Sequence, residues 1–562
     1  MRYLAIFALA TAALLPAQEV SQSGLELKAE RPMIEQPERA PKAMIASANE
    51  LASQAGLSIL RKGGNAVDAA VAVAFALAVV HPEAGNLGGG GYMLVKMANG
   101  PVRAIDYKET APALAHPGMF RTRRDSSVGY LASAVPGTVA GMALAHSRFG
   151  KLPWRVVLEP ARRLARDGFP ASQRMELILA LQVPVMKDFP DTAKVFLHGG
   201  TTPLKQGEIV KQPDLAATIA RIQKRGWREF YEGETARLID RDMAAHNGTI
   251  RYDDLRNYRA IERDPIQTTY RGNLVFSTPP SSSGGLAIIE MLNILENFPQ
   301  QPGREGSAAQ RHLMIEAMRR AFRDRAAYAA DPGFFEVPIA MLTSKEHARE
   351  LASSIVPDRA TPLPPLQAAA AAGSGYESDD TTHFSVIDEA GNIVSNTYTL
   401  NSFYGSQVIP HGTGVLMNDI MGGFSNEAGV RNEIKQGKRP MSSMAPTIVL
   451  HPDGSPWFAL GSPGSATIPN TIFQVIVNII DSKMSLRDAV ESPRIHFQNG
   501  GQVDAEPAAL VWDVARILES YGHKLNPKLR SQGDVHAVMV EEGTGWRLGW
   551  SDGRRGGRAV GY

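Results

Sequence analysis

Apolar and polar positions along the chain fall into two kinds of pattern. Residues 49–80, NELASQAGLSILRKGGNAVDAAVAVAFALAVV, read as a helix that stops at Gly63-Gly64 and a second helix from Ala66 to Val80. The second is apolar on every face, the mark of a helix buried between layers. GNLGGGGYMLVKM follows as a glycine turn into a strand. Residues 150–345 are mostly helical in pattern. In SAAQRHLMIEAMRRAFRDRAAYAADP, the residues Leu313, Met314, Ala317, Met318, Ala321 and Phe322 recur near the helical period, and Asp331-Pro332 supplies a stop.

From Thr381 the period changes to two. THFSVID, the turn EAGN and IVSNTYTL form a hairpin pattern. A turn centred on Ala390 sets Thr381 opposite Thr399, with Asn401 just beyond; cross-strand partners lie within about 5 Å at Cβ. Strands at APTIVLHP and SPWFALGSP, a helix at IPNTIFQVIVNIID and a last hairpin through VHAVMVEE and WRLGWSD complete the pattern. A helix-rich stretch followed by a strand-rich one, without βαβ alternation, predicts an α+β fold with helices covering sheets.

Two segments depart from any core pattern. MRYLAIFALATAALLPAQEV carries one arginine, a short apolar run and a small-residue exit at Pro16-Ala17. The run is too short to span a bilayer, so residues 1–17 are expected to be an export signal and the mature protein periplasmic or secreted. Residues 18–43 read as a polar lead-in. Residues 357–378, rich in Pro, Ala, Gly and Ser, form the one low-complexity segment and end at the edge of the Thr381 strand.

Composition narrows the chemistry. A chain of 562 residues exceeds one simple core. Its 59 basic and 57 acidic residues leave a formal charge of +2, without the basic excess of a nucleic-acid binder. With no cysteine, disulfides, thiolate nucleophiles and iron–sulfur clusters are excluded. G-x-S-x-G, H-E-x-x-H, Walker A and G-x-G-x-x-G signatures are missing, and the 13 histidines show no ligand spacing. Gly88–Gly91 follow a helix and precede a strand, the wrong order for a dinucleotide site.

SGYESDDTTHFSVID is left as the candidate for chemistry. A threonine hydroxyl is a weak nucleophile unless a base sits beside it. Cutting the chain just before Thr381 would create an α-amino group, of pKa near ~8, next to the hydroxyl. Such a design needs a strand ahead of the cut and a disposable segment behind it, and Thr381 has both. Threonine is also simply a good strand residue, so pattern alone leaves both readings open.

The longer motifs resemble the γ-glutamyltransferase (glutathione hydrolase) family of N-terminal-nucleophile (Ntn) hydrolases. They run along almost the whole chain: LRKGGNAVDAAVA, GGGGYMLV, AIDYKETAPA, VPGTVAGM, PPSSSGGLAIIEMLN, DDTTHFSVID, NTYTLN, GKRPMSSMAPTIV, GSPGS and SDGRRGGRAVGY. The resemblance implies a four-layer αββα sandwich built jointly by two chains. Self-cleavage between Asp380 and Thr381 would yield a large subunit, residues 18–380, ending in a flexible linker over 357–380. Residues 381–562 would form the small subunit. By the same resemblance Thr381 is nucleophile and base, Thr399 orients it, and Gly464 and Ser465 supply the oxyanion donors. Ser442 and Ser443 hold a substrate carboxylate, with Lys108 as its charge partner and Asn401 on the substrate amino group. The substrate would be a small γ-glutamyl amide and the acceptor water, an amino acid or a peptide, with no cofactor and no metal.

The resemblance breaks down in the substrate clamp. Lys108 stands where family members commonly have arginine, keeping charge but not the bidentate fork. Gly423 stands where a clamp aspartate is usual, Ile420 replaces a polar neighbour, and Ser465 replaces a glycine. Asp419 and Glu427 are the nearby carboxylates able to substitute. The loop before Lys438 is short, which would open the site to bulkier groups. Three functions therefore remain: a γ-glutamyl hydrolase/transferase, an acylase of the same scaffold with a glutaryl- or peptide-like donor, or an exported binding protein.

Overall fold

The structure is a computed structural model that describes residues 36–300, 305–362, 380–498, 501–527 and 532–562. The expected export signal and most of the low-complexity segment lie outside the described residues. Of the unit Met1–Gln36 only Gln36 is described; Pro37–Tyr562 form a second, compact unit of mixed α and β structure.

Two seven-stranded sheets organise it. The first runs Arg558–Gly561, Met44–Ser47, Asp380–Ile387, Ile393–Asn401, Gly90–Lys96, Val102–Asp106 and Ile261–Arg263. The second runs Glu38–Ala40, Arg547–Ser551, His536–Val540, Pro456–Leu460, Thr447–Leu450, Asn273–Ser277 and Ile266–Tyr270. Every residue of the central pair Asp380–Ile387 and Ile393–Asn401 is buried.

Side-chain alternation sends the two faces of this pair to different neighbours. Phe384, Val386, Val394 and Tyr398 join the core that includes the helix Ala66–Val80. That helix is buried at all its positions, and the Tyr398 hydroxyl donates to the Ala74 carbonyl at 2.9 Å. On the opposite face Ile387 and Ile393, with Met44, Ala46 and Leu94, meet Ile448, Leu450, Ala459 and Val538 of the second sheet. Val275, Val449, Phe458 and Leu460 of the second sheet pack with residues of the helices Gly284–Leu295, Ala308–Tyr328 and Thr467–Ile480.

The helices Glu50–Arg61 and Ala66–Val80, the strand Gly90–Lys96 and both late hairpins lie where the pattern predicts them. The helix Ala308–Tyr328 stops before Asp331-Pro332, and Leu313 sits at the margin of its core rather than inside it. Strands do not gather in one half of the chain as the sequence pattern suggests. Ile261–Arg263, Ile266–Tyr270 and Asn273–Ser277 come from the helical middle; the first two take the edges of the two sheets and the third lies next to the edge. Their pattern reads weakly because they are short and many of their side chains are only partly buried, so the period-two alternation is blurred.

Candidate active site

The hairpin register pairs Thr381 with Thr399 but slips at the next step, where Asp380 pairs with Asn401. Around this slip the hydroxyls form a directed chain. Thr381 Oγ1 donates to Thr399 Oγ1 at 3.3 Å, and Thr399 Oγ1 donates to the Asp380 carbonyl at 2.8 Å. The Asn401 amide donates to Thr399 Oγ1 at 2.8 Å, so the Thr399 hydroxyl accepts two hydrogen bonds and gives one. Asn401 has φ of 83°, the left-handed region that asparagine tolerates better than most residues.

Below this pair the inter-sheet face stays polar for one more turn of the pleat. His383 Nδ1 lies 2.8 Å from Thr397 Oγ1 and Nε2 lies 2.9 Å from Ser385 Oγ. Burial, with His536 alongside, holds the His383 imidazole well below its ordinary pKa. Gly461 is a glycine by necessity, since an added Cβ would fall 2.4 Å from the His383 ring. The loop that follows Gly461 thus leaves the second sheet beside the Thr381 strand.

This loop carries Gly464 and Ser465 at φ of 129° and 55°. The Gly464 carbonyl accepts from the Thr467 amide at 3.0 Å and hydroxyl at 2.7 Å, and the Ser465 carbonyl accepts from the Ile468 amide at 3.1 Å. Both carbonyls are turned into the start of the helix Thr467–Ile480.

Ser442 and Ser443 are buried on the loop before Thr447–Leu450. Ser442 Oγ accepts from the Met444 amide at 3.2 Å. Ser443 Oγ accepts from Arg325 Nη2 at 2.7 Å, while Arg325 Nε reaches Ser283 Oγ at 2.7 Å. Ser283 Oγ in turn donates to the Ser442 carbonyl at 2.8 Å. Arg325 therefore braces the serine pair, a role that sequence reading missed. On the sequence it is one cation among several on an amphipathic helix, and its partners lie far along the chain.

Lys108 is buried, with Nζ 2.8 Å from Glu109 Oε2. That approach satisfies ion pairing but not hydrogen-bond geometry. The ammonium and both Glu109 oxygens are left without a hydrogen-bonding partner. Glu109 packs on the backbone of Gly90, where a Cβ would meet Oε2 at 2.8 Å, and Gly90 pairs with Thr399. A buried cation and carboxylate with unused donors and acceptors thus lie one strand away from Thr399.

Gly423 ends the short helical segment Ile420–Gly423 and is buried, as is Ile420. A Cβ at Gly423 would meet nothing closer than Pro440 Cβ at 3.5 Å. Of the two substitute carboxylates, Asp419 is brought to Asn401. Its Oδ2 accepts from Asn401 Nδ2 at 3.3 Å and from the Ser402 hydroxyl at 2.6 Å, and Oδ1 accepts from the Ser402 amide at 2.8 Å. Complete burial lifts the Asp419 pKa to about 7, against the opposing pull of the Ser402 and Asn401 hydrogen bonds. Glu427 is exposed and lines a cavity of about 600 Å³ with Phe120, Arg121, Gly422 and Phe424.

Among the described residues two side-chain clusters at metal-ligand distance lie elsewhere, His312–Glu316–His523 and Glu290–Asp324–His347, each with ligand atoms within 4.8 Å of one another. Histidine spacing in the sequence gave no sign of them, because each joins residues from distant segments. In the first, the Glu316 carboxylate is already held by Arg319 and Arg320.

Thr381, second residue of a central strand, thus faces a cross-strand hydroxyl that reaches the preceding carbonyl. Residues 52–562 match the family model for γ-glutamyltranspeptidase, and the chain belongs to that family. It is 40% identical over 521 residues to the glutathione hydrolase proenzyme of Escherichia coli, covering 90% of this chain and 89% of that one. It is also 39% identical over 514 residues to the acylase ACY 1 proenzyme of a Pseudomonas strain, covering 89% and 90%. Among solved structures, cephalosporin acylase from Bacillus halodurans superposes with a TM-score of 0.85 at 28% identity, over 95% of this chain and 98% of that one. Helicobacter pylori γ-glutamyltranspeptidase superposes with a TM-score of 0.55 at 38% identity, over 59% of this chain and 95% of that one.

Proposed function

We propose that the chain is the precursor of a γ-glutamyl hydrolase/transferase that acts on glutathione and related amides through a Thr381 ester. The observation that carries this reading is the Thr381–Thr399–Asp380 hydrogen-bond chain. It aligns a nucleophile, an acceptor for its proton and a polarised carbonyl in one direction. Attack of Thr381 Oγ1 on the Asp380 carbonyl carbon forms an ester, breaks the peptide C–N bond and leaves the proton on the Thr381 nitrogen. Water then hydrolyses the ester, releasing residues 18–380 as the large subunit from residues 381–562.

The new amino group, with a pKa near ~8, serves as the base for turnover. It takes the hydroxyl proton as Thr381 attacks the donor amide and returns a proton to the leaving amine. The Gly464 and Ser465 amides face the developing oxyanion; one such donor contributes about 3–4 kcal/mol to the transition state. Ser442, Ser443 and Lys108 take the donor α-carboxylate. Asn401 and Asp419 take its α-amino group, with Gly423 leaving room in the clamp. The sheets and their helices read as the four-layer αββα sandwich of this class, supported by the apolar cluster between the sheets and the helices packed on each. Among the described residues no helix is long and apolar enough to cross a membrane, and we assign the processed protein to the exported compartment on its N-terminal pattern.

A second reading, an acylase with a glutaryl-type donor, is favoured by the missing carboxylate at Gly423 and by the likeness to two named acylases. Competition between γ-glutamyl-anilide and glutaryl-anilide on the processed protein separates them. A strong γ-glutamyl preference is expected. Equal or reversed rates would replace the first reading with the second, and an intact mass showing an uncleaved, inert chain would remove both.

A further inference from the structure

Asp380 is buried although it carries a carboxylate and begins a strand. A regular ladder would set it opposite Leu400, but the register slips and sets it opposite Asn401. The slip takes its carbonyl out of the backbone ladder and onto a side chain, the Thr399 hydroxyl at 2.8 Å. Its own carboxylate is tied separately: Oδ2 accepts from the Phe403 amide at 3.2 Å. Both tethers come from the stretch 399–403 of the facing strand and the turn after it. Phe403 is held in place in turn, since Ser402 before it donates twice to Asp419 and the Tyr404 amide after it donates to the Glu83 carbonyl at 3.1 Å.

We propose that the Asp380 side chain is a positioning group for self-cleavage: anchored on the Phe403 amide, it holds the scissile carbonyl against the Thr399 hydroxyl. The inference rests on the reading that Thr381 attacks its own preceding carbonyl. These two contacts, one on each branch from the Asp380 Cα, together restrict the orientation of the carbonyl. Without the carboxylate anchor the carbonyl is held less firmly, and Thr381 Oγ1 meets it at more variable angles. An attack geometry held in advance is worth orders of magnitude in rate, and a misplacement near 1 Å costs about a hundredfold. The carboxylate neither gives nor takes a proton in this step; bond making and breaking stay with Thr381 and the Asp380 carbonyl. Its work ends when the ester is hydrolysed, because Asp380 then becomes the end of the other subunit.

The test is to purify precursor quickly in the cold and follow its conversion to two chains by intact mass. Asp380→Ala is expected to slow conversion ten- to a hundredfold, as loss of the anchor that holds the attack geometry would. Asp380→Asn retains an acceptor oxygen and should stay within a few-fold of the parent. Asp380→Glu keeps the charge but moves the anchor by one carbon, and should be slow. Near-ultraviolet circular dichroism of each precursor verifies folding. If the alanine variant does not fold, the asparagine–glutamate pair still decides. Slow conversion with glutamate and fast conversion with asparagine supports positioning. The reverse order shows that charge matters and overturns it, as does alanine converting at the parental rate. Failure of the underlying reading looks different: Thr381→Ala would then convert normally.

Discussion

The Thr399 hydroxyl donates to the carbonyl of Asp380 at 2.8 Å while accepting from the Thr381 hydroxyl at 3.3 Å. One side chain thus touches both partners of the bond-forming step. Thr399→Ala is expected to slow self-cleavage about a hundredfold or more, the effect of removing a donor from a developing oxyanion. Thr399→Ser keeps the hydroxyl and should stay within about tenfold, the methyl serving only to fix the rotamer. Thr381→Ala abolishes both self-cleavage and turnover. Time courses of subunit appearance check all three, and normal processing of Thr381→Ala would end the nucleophile assignment.

Arg325 spans two serines, reaching Ser283 Oγ and Ser443 Oγ at 2.7 Å each. A lysine retains the charge but not the planar fork that serves both. Arg325→Lys should therefore raise KM for a γ-glutamyl donor roughly tenfold, because one unsupported hydrogen bond near a charge is worth about that factor. Little change in kcat is expected, since Thr381 is untouched. A matched fall in kcat with KM unaltered would mean that Arg325 acts on the chemistry and not through Ser443.

How much of this site was legible depends on the range of the contacts. The Thr381–Thr399 pairing follows from a period of two and a short turn, so local spacing fixes it. The slip at Asp380 does not, because a bulge is set by what the chain must reach and not by its own pattern. Ser442 and Ser443 stood out in the motif, yet the arginine behind them could not. Arg325 becomes a partner only when the helix Ala308–Tyr328 and the serine loop are folded together. The Asp419 carboxylate was visible as a nearby acid; its perturbed titration came only with complete burial.

That burial gives a pH dependence with a definite sign. Asp419 holds its proton up to about 7 in the folded chain, against an ordinary value of 3.8. As pH rises from about 4 to 7 the unfolded chain gives up this proton while the folded chain keeps it, so this group's contribution to stability falls across that window. Asp419→Asn should be more stable than the parent, by a margin that grows over the window and levels off above it. Chemical denaturation at pH 5 and pH 8 measures the difference. Binding runs the other way, because only the ionised carboxylate attracts an ammonium. The kcat/KM profile for a γ-glutamyl donor should therefore carry an inflection near 7 that Asp419→Asn removes, with the limb from the Thr381 amine near ~8 left in place. A profile unchanged by the substitution would exclude Asp419 from the clamp.

Gly423 offers the direct way to ask what the missing carboxylate means. An added Cβ has its nearest contacts at 3.5 Å and 3.6 Å, from Pro440 and Ile420, which is ordinary packing distance. Gly423 is also not among the glycines with positive φ, so an aspartate can be accommodated without backbone strain. Neighbouring Gly422 could not take the change as easily, because its Cβ would fall 2.7 Å from the Ser126 carbonyl. Gly423→Asp is expected to fold and to raise the ratio of γ-glutamyl to glutaryl turnover by about 10- to 100-fold, the worth of one charge-assisted hydrogen bond to an ammonium. The effect should be larger in the Asp419→Asn background, where the carboxylate that accepts from Asn401 is lost, than in the parent, where Asp419 already supplies one. Equal gains in both backgrounds would mean that the two carboxylates act on different parts of the donor, and that Asp419 has a task other than replacing the absent one.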